Sequence, residues 1–318
     1  MTATPVRRVL RKIDGFLLYD KPRGIGSNGA LQRVRRLYQA ERAGHTGTLD
    51  PLASGLLVLC FGQATRFAGE LLESQKTYLA EIRLGIRTST GDAEGGIVEQ
   101  RSVHAGRPDI ESSLDEFRGE ILQTPPMYSA LKRDGVPLYR LARQGIEIPR
   151  AARAVTIYSI ELVSMSLPDI TIRVNCSKGT YIRVLAEDIG NHLGCGAYLS
   201  NLVRLGMGPF RLEDAVSDDA LGSLSEEERQ ARLNPPEGLA FAYPAISIDK
   251  ALAVKFCQGQ SVAVTGVKAA EYRTYDDLGQ FLGIGESKGL GELQPKRVMR
   301  DAMPIEASKS IHLRSNDL

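Results

Sequence analysis

Apolar residues recur along this chain in several distinct spacings, and each spacing predicts a different element. The run GFLLYD is apolar and ends on DKPRG, where Pro22 and Gly24 signal a turn, so a strand followed by a reversal is predicted. In LQRVRRLYQ, Leu31, Val34 and Leu37 recur every three residues, which predicts a helix whose other face carries Arg33, Arg35 and Arg36. GLLVLCFG reads as a buried strand, and QATRFAGELLESQ as a helix with Phe67, Leu71 and Leu72 inward. KTYLAEIRLG alternates, placing Tyr78, Ala80, Ile82 and Leu84 on one strand face and Thr77, Leu79, Glu81 and Arg83 on the other. TGDAEGG is a turn, DIESSLDEFRGEI a helix with acidic residues early, and DITIRVNC an alternating strand. TYIRVLAEDIGNHLG predicts a helix with Thr180 as N-cap and Gly194 as stop.

Three segments break this texture. Residues 123–153, QTPPMYSALKRDGVPLYRLARQGIEIPRAAR, are rich in Pro, Gly, Arg and Tyr and read as a basic insertion with one helix at VPLYRLARQG. Residues 214–238 are acidic, helix-prone and run into Asn234-Pro235-Pro236, just beyond which a domain boundary is placed. Residues 246–306 read as short strands with closely spaced glycines, VAVTG, GQFLGIGES and LQPKRVM, which predicts a small β-barrel. The organisation expected is a basic tail over 1–12, a large domain over 13–240, the small barrel over 246–306 and a tail over 307–318, with both tails disordered.

Composition narrows the class. A chain of 318 residues that is 42% hydrophobic and 25% charged is ordinary for a globular protein. No window approaches the roughly 18 apolar residues of a membrane span. The N-terminus lacks the apolar core and cleavage site of an export signal, so a soluble, cytoplasmic protein is expected. Cys60, Cys176, Cys195 and Cys257 form no CxxC pair and His45, His104, His192 and His312 no paired-ligand spacing, so no metal site is expected. The net charge of +2 conceals segregation: residues 1–50 hold ten basic against four acidic side chains, 132–153 six against two, and 211–240 three against eight. A polyanionic partner fits this distribution, as does ordinary solvated surface charge.

One stretch carries chemistry. GHTGTLDPLASG confines the carboxylate of Asp50 between glycines. An Asp followed by Pro is a good helix N-cap with Pro at the first helical position. The residues after Pro51 lead instead into a β-type run, so a tight loop presenting a nucleophilic carboxylate to a ligand is the competing reading.

GHTGTLDPLASGLLVLCFGQATR resembles the active-site motif of the TruB family of tRNA pseudouridine synthases. LLYDKPRGIGSN resembles that family's Lys-Pro motif, KTYLAEIRLGIRTSTGDAEG its tyrosine motif, and CSKGTYIRVLAEDIGNHLGCGAYLSNLVRLGMG its arginine and leucine motif, in the same order and spacing. QTPPMYSALKRDGVPLYRLARQG resembles the RNA-gripping thumb, and the C-terminal segment a PUA RNA-binding domain. Gly26 departs from the pattern, standing where the family usually has Ser or Thr, so a local turn bond is absent.

The resemblance implies an α+β fold: a mixed, largely antiparallel central sheet flanked by helices, plus a small PUA-like barrel. It implies isomerisation of uridine 55 in the TΨC loop of tRNA to pseudouridine, with base flipping, no cofactor, a tRNA stem-loop as partner and no protein partner, hence a monomer. Asp50 matches the family's nucleophile, attacking C6 of the base or C1′ of the sugar, and Arg183 the arginine paired with it. Tyr78 matches the tyrosine that stacks on the base and accepts a proton, on a strand face that equally suits a core residue. Tyr181 and Leu202 match pocket-lining positions, and His45 a contact to the RNA loop. Lys21 and Pro22 brace the floor, and Asp92 lies near the pocket. In the thumb, Lys132, Arg140, Arg143 and Arg150 are candidate phosphate contacts. The rival from another class is a non-catalytic PUA-type tRNA-binding protein or folding chaperone, which has no use for a carboxylate facing a polyanion.

Overall fold

A computed structural model describes residues 10–129 and 131–300. The predicted tails lie partly or wholly outside them, as does the end of the predicted barrel. Two compact units divide between Pro236 and Glu237.

In the first unit, β1 (Gly15–Lys21), α1 (Ser27–Tyr38) and β3 (Ala53–Phe61) follow the predicted order, with a short unpredicted strand, β2 (Ala43–His45), between α1 and β3. α1 turns Ala30, Leu31, Val34 and Tyr38 into the core, where full burial of each large apolar side chain contributes about 1.5–3 kcal/mol. The segment after β3 forms a 3₁₀ turn and the short α2 (Ala68–Leu72) rather than one long helix. Phe67 and Leu71 are buried as expected, whereas Leu72 lies 39% exposed, because a single turn has only one inward side. Next come β4 (Lys76–Leu84) and the hairpin β5 (Ile86–Thr88) and β6 (Ile97–Gln100). In β4, Tyr78, Ala80, Ile82 and Leu84 are all buried, as alternation predicts.

DIESSLDEFRGEI divides: α3 (Arg107–Glu116) stops before Gly119, whose positive φ releases the chain into β7 (Gly119–Gln123). The basic insertion contains a tight hairpin, β8 (Lys132–Arg133) and β9 (Val136–Pro137), turning through Asp134 and Gly135, both at positive φ. Its helix, α4 (Leu138–Ala142), is one short turn. Then follow β10 (Arg153–Ser166), whose 14 residues the sequence reading did not identify, β11 (Asp169–Cys176) and α5 (Ile182–His192). Tyr181, not Thr180, occupies the N-cap of α5; the Thr180 hydroxyl donates instead to the Ser177 carbonyl at 3.0 Å. β12 (Ala197–Met207), β13 (Phe210–Arg211), β14 (Val216–Ser217), α6 (Asp218–Ser223) and α7 (Glu226–Ala231) complete the unit.

Among the described residues the main sheet has ten strands, in the order β14-β1-β3-β12-β4-β11-β10-β7, with β2 on β3 and β13 on β12. Only β1–β14 and β3–β12 pair in parallel. The sheet is therefore mixed and largely antiparallel, as the resemblance implied.

The second unit is a five-stranded sheet in the order β15-β17-β18-β19-β16, from β15 (Ala245–Ser247), β16 (Val262–Ala263), β17 (Ala269–Tyr275), β18 (Phe281–Lys288) and β19 (Glu292–Val298). It also contains α8 (Lys250–Cys257), absent from the sequence reading, capped by Asp249 through the Leu252 amide at 2.9 Å. Ile248, Phe256, Val262, Leu282 and Leu293 form its core. Among the described residues no helix is long and apolar enough to cross a membrane.

Candidate active site

The loop bearing Asp50 is fixed on both sides. The Thr46 amide donates to the Val58 carbonyl at 3.0 Å, anchoring its start to β3. The Ser27 hydroxyl then grips Leu49 twice, accepting from its amide at 2.7 Å and lying 3.1 Å from its carbonyl as donor. Gly26, the N-cap of α1, offers no side-chain cap, so the neighbouring Ser27 ties α1 to the loop. The Gly24 amide donates to the Pro51 carbonyl at 2.8 Å, and the Ala53 amide to the Asp50 carbonyl at 3.1 Å. Residues 51–52 form a turn that enters β3 directly. No helix follows Asp50, which removes the capping alternative. Leu49 and Leu52 are buried while the Asp50 side chain keeps 43% of its surface, so two apolar anchors hold a carboxylate outward.

Gly55 explains one glycine of the motif. It sits at φ +96°, and a Cβ there would lie 2.5 Å from the Arg204 carbonyl oxygen, where β3 and β12 run side by side. No side chain fits that approach.

Arg183 lies in the first turn of α5 and is 7% exposed at its side chain. Its Nη2 donates to Asp50 Oδ2 at 2.8 Å and to the Tyr128 carbonyl at 2.8 Å. Its Nη1 reaches the Thr90 carbonyl at 3.3 Å and Asp92 Oδ2 at 3.2 Å. One planar guanidinium thus joins four acceptors, a geometry that lysine cannot reproduce. Asp92, more readily taken for a turn residue in the sequence, is buried and accepts from the Thr90 hydroxyl at 2.5 Å and the Glu94 amide at 3.1 Å. Burying Arg183 is tolerable because two carboxylates and two carbonyls compensate it.

The remaining predicted positions lie on β1, β2, β4, β12 and at the N-cap of α5. Tyr78 is buried on β4, and burial raises the pKa of its phenol, the opposing effect coming first from Arg204. Tyr181 is half-buried, with its phenol raised by burial; its backbone is clamped by Gln123, whose Oε1 accepts from the Tyr181 amide at 3.0 Å and whose Nε2 donates to its carbonyl at 3.3 Å. The Asp50 charge acts on Tyr78, Tyr181 and Lys21 alike. Leu202 is 8% exposed, between Ala53 and Ala80 in register. Lys21 is fully buried, its Nζ donating to the Pro22 carbonyl at 2.9 Å and the Ile25 carbonyl at 2.6 Å. Burial, then the charge of Arg204, pushes its pKa down to about 8. His45 on β2 is half-buried, and burial lowers its pKa.

The thumb candidates stand apart. Lys132 and Arg140 are exposed, Arg143 lies over the Tyr139 ring at 5.6 Å, and Arg150 pairs with Glu147 at 3.0 Å and is 20% exposed. Sequence reasoning did not single out Ser27, Gln123 or Arg204. Arg204 had a signal, an arginine inside the apolar run NLVRLGM; Ser27 and Gln123 had none, since both act on backbone distant in sequence. Among the described residues no group of three or more His, Cys, Asp or Glu is arranged to hold a metal ion.

Comparison with known proteins agrees along the chain. Residues 35–182 match the TruB family pseudouridylate synthase N-terminal domain, 183–238 the tRNA pseudouridylate synthase B C-terminal domain, and 244–299 the C-terminal domain of pseudouridine synthase II TruB. A tRNA pseudouridine synthase B of Burkholderia mallei (strain ATCC 23344) is 51% identical over 306 residues, covering 94% of this chain and 98% of the relative. One from Methylobacillus flagellatus is 48% identical over 297 residues, covering 93% and 98%. A chain in the crystal structure of a Cbf5–Nop10–Gar1 complex is 25% identical with a TM-score of 0.70, covering 91% of this chain and 87% of that one. With about half its residues shared across nearly its full length, the chain belongs to the TruB family of pseudouridylate synthases.

Proposed function

We infer that the protein converts uridine 55 in the TΨC loop of tRNA to pseudouridine, with Asp50 as nucleophile. The observation that carries this reading is the 2.8 Å pair between Arg183 Nη2 and Asp50 Oδ2, in which a buried cation orients an outward-facing carboxylate. The base leaves C1′ through N1 and returns through C5; the C5 proton is lost and N1 gains one, so neither oxidant nor water is consumed.

Asp50 attacks at C6 of the base or C1′ of the sugar. Tyr78 stacks on the flipped base and accepts the C5 proton, Tyr181 and Leu202 wall the pocket, and His45 contacts the RNA loop beside the vacated stack. Lys21, with Pro22, braces the floor, and Asp92 steadies Arg183. Lys132, Arg140, Arg143 and Arg150 of the thumb over 123–153 contact phosphates, and the second unit serves as a PUA-like RNA-binding domain. The protein works on tRNA as a monomer in the cytoplasm.

Tritium release from a C5-labelled TΨC stem-loop, with no added cofactor, tests the activity. Release by the wild type and none by Asp50→Asn is the expected result; equal release by both would overturn the nucleophile. Comparing the variant's RNA affinity with wild type separates chemistry from binding.

A further inference from the structure

Arg204 stands opposite Tyr78 in the antiparallel pairing of β12 with β4, so the two side chains share a face of the sheet. It is 1% exposed and the largest fully buried side chain among the described residues. Its Nε donates to the Leu56 carbonyl at 2.7 Å, its Nη2 has no hydrogen-bond partner, and no carboxylate lies within ion-pair distance among the described residues. This differs from Arg183, which two aspartates compensate.

Buried guanidinium charge without a counter-anion is unfavourable, and its neighbours sharpen the conflict. Lys21 on β1, Lys76 on β4 and His45 on β2 all feel its charge. Both lysines are pushed down to about 8 and have carbonyl acceptors, the Lys76 ammonium donating to Leu72 and Ser74 at 2.6 Å each, so they can shed charge. Arginine cannot. Burial, and after it the charges of Cys176 on β11 and Asp50 in its loop, raise the Tyr78 phenol, and Arg204 on β12 is the group that opposes them.

We propose that Arg204 is a positioning residue for the reaction: its uncompensated charge holds Tyr78 and stabilises the phenolate form in which Tyr78 takes the C5 proton. The proposal rests on the reading of Tyr78 given above. After C5 has joined C1′, the phenolate oxygen takes the C5 proton and the C5–H electron pair forms the C5–C6 double bond; C6 gives up its bond to Asp50, or, where Asp50 attacked C1′, the C6–N1 double-bond pair moves to N1, which takes a proton from water, and the neutral phenol later yields its proton to water. Arg204 stays charged throughout and touches no substrate.

The test is tritium release across pH by Arg204→Gln, Tyr78→Phe and the double variant, and by enzymes carrying a fluorinated, more acidic tyrosine at position 78. Arg204→Gln is expected to lower kcat about 10- to 100-fold, with KM for the RNA nearly unchanged. It should add almost nothing to Tyr78→Phe. The fluorinated tyrosine should recover most of the loss in Arg204→Gln while changing the wild type little. Equal slowing by Arg204→Gln in the Tyr and Phe backgrounds, or no rescue, overturns the proposal and leaves Tyr78 standing. Full activity of Tyr78→Phe overturns both. Should Arg204→Gln fail to fold by circular dichroism, Arg204→Lys, which keeps a cation but loses the fork, makes the same comparison: partial slowing with rescue supports the proposal, and slowing without rescue overturns it.

Discussion

Arg183 Nη2 lies 2.8 Å from both Asp50 Oδ2 and the Tyr128 carbonyl, so the same nitrogen that orients the carboxylate is itself oriented by backbone. The carboxylate keeps 43% of its surface and the guanidinium 7%, a gradient of burial that aims the pair outward. Removing the negative charge should therefore abolish chemistry without unfolding the protein. Asp50→Asn is expected to lose about 10⁴-fold or more in kcat, with a melting temperature near wild type. Single-turnover assays and thermal denaturation check both.

Arg183→Lys cannot join Asp50, Asp92, Tyr128 and Thr90 at once, because an ammonium lacks the planar fork. A fall in kcat with little change in RNA affinity is expected. Asp92→Asn removes a charged acceptor from a buried cation and should cost about 1.5–3 kcal/mol in urea unfolding. An unchanged midpoint would show that Asp92 contributes nothing there.

Ser27→Ala frees Leu49, and with it the backbone that carries Asp50. The two lost hydrogen bonds should cost about 1–3 kcal/mol and lower kcat more than they weaken RNA binding. Equilibrium unfolding with filter binding distinguishes the effects.

Lys21 has a folded-state pKa pushed down to about 8 from 10.5. Between those values the unfolded chain binds a proton that the native protein does not, so stability rises with pH. Relative to Lys21→Met, the unfolding free energy of wild type should climb between about pH 8 and 10.5 at up to about 1.4 kcal/mol per unit, and stay level below that window. A flat difference would mean that Lys21 titrates normally.

Thumb contacts should appear in the salt dependence of RNA affinity. Lys132→Ala and Arg140→Ala, both at exposed side chains, are each expected to reduce the slope of log K against log salt by about 0.7–0.9. Arg150→Ala should reduce it less, since Glu147 already neutralises that charge. Unchanged slopes in all three would place the RNA elsewhere.

Local pattern determined much of this protein. Alternation in KTYLAEIRLG put Tyr78 on the buried face of β4, and the apolar run after Ser54 made β3, because strand and helix periods are written in neighbouring residues. The motifs likewise marked Asp50 and Arg183, though 133 residues separate them. Distance of that kind was beyond local pattern. Only tertiary structure decided that Ser27 grips Leu49 and that Gln123 clamps Tyr181, since both bonds go to backbone whose position depends on the whole sheet. It also decided that Arg204, an arginine in an apolar run, points inward opposite Tyr78 instead of outward to water. Which face of β12 an arginine occupies follows from register with β3 and β4, and register is set by the assembled core.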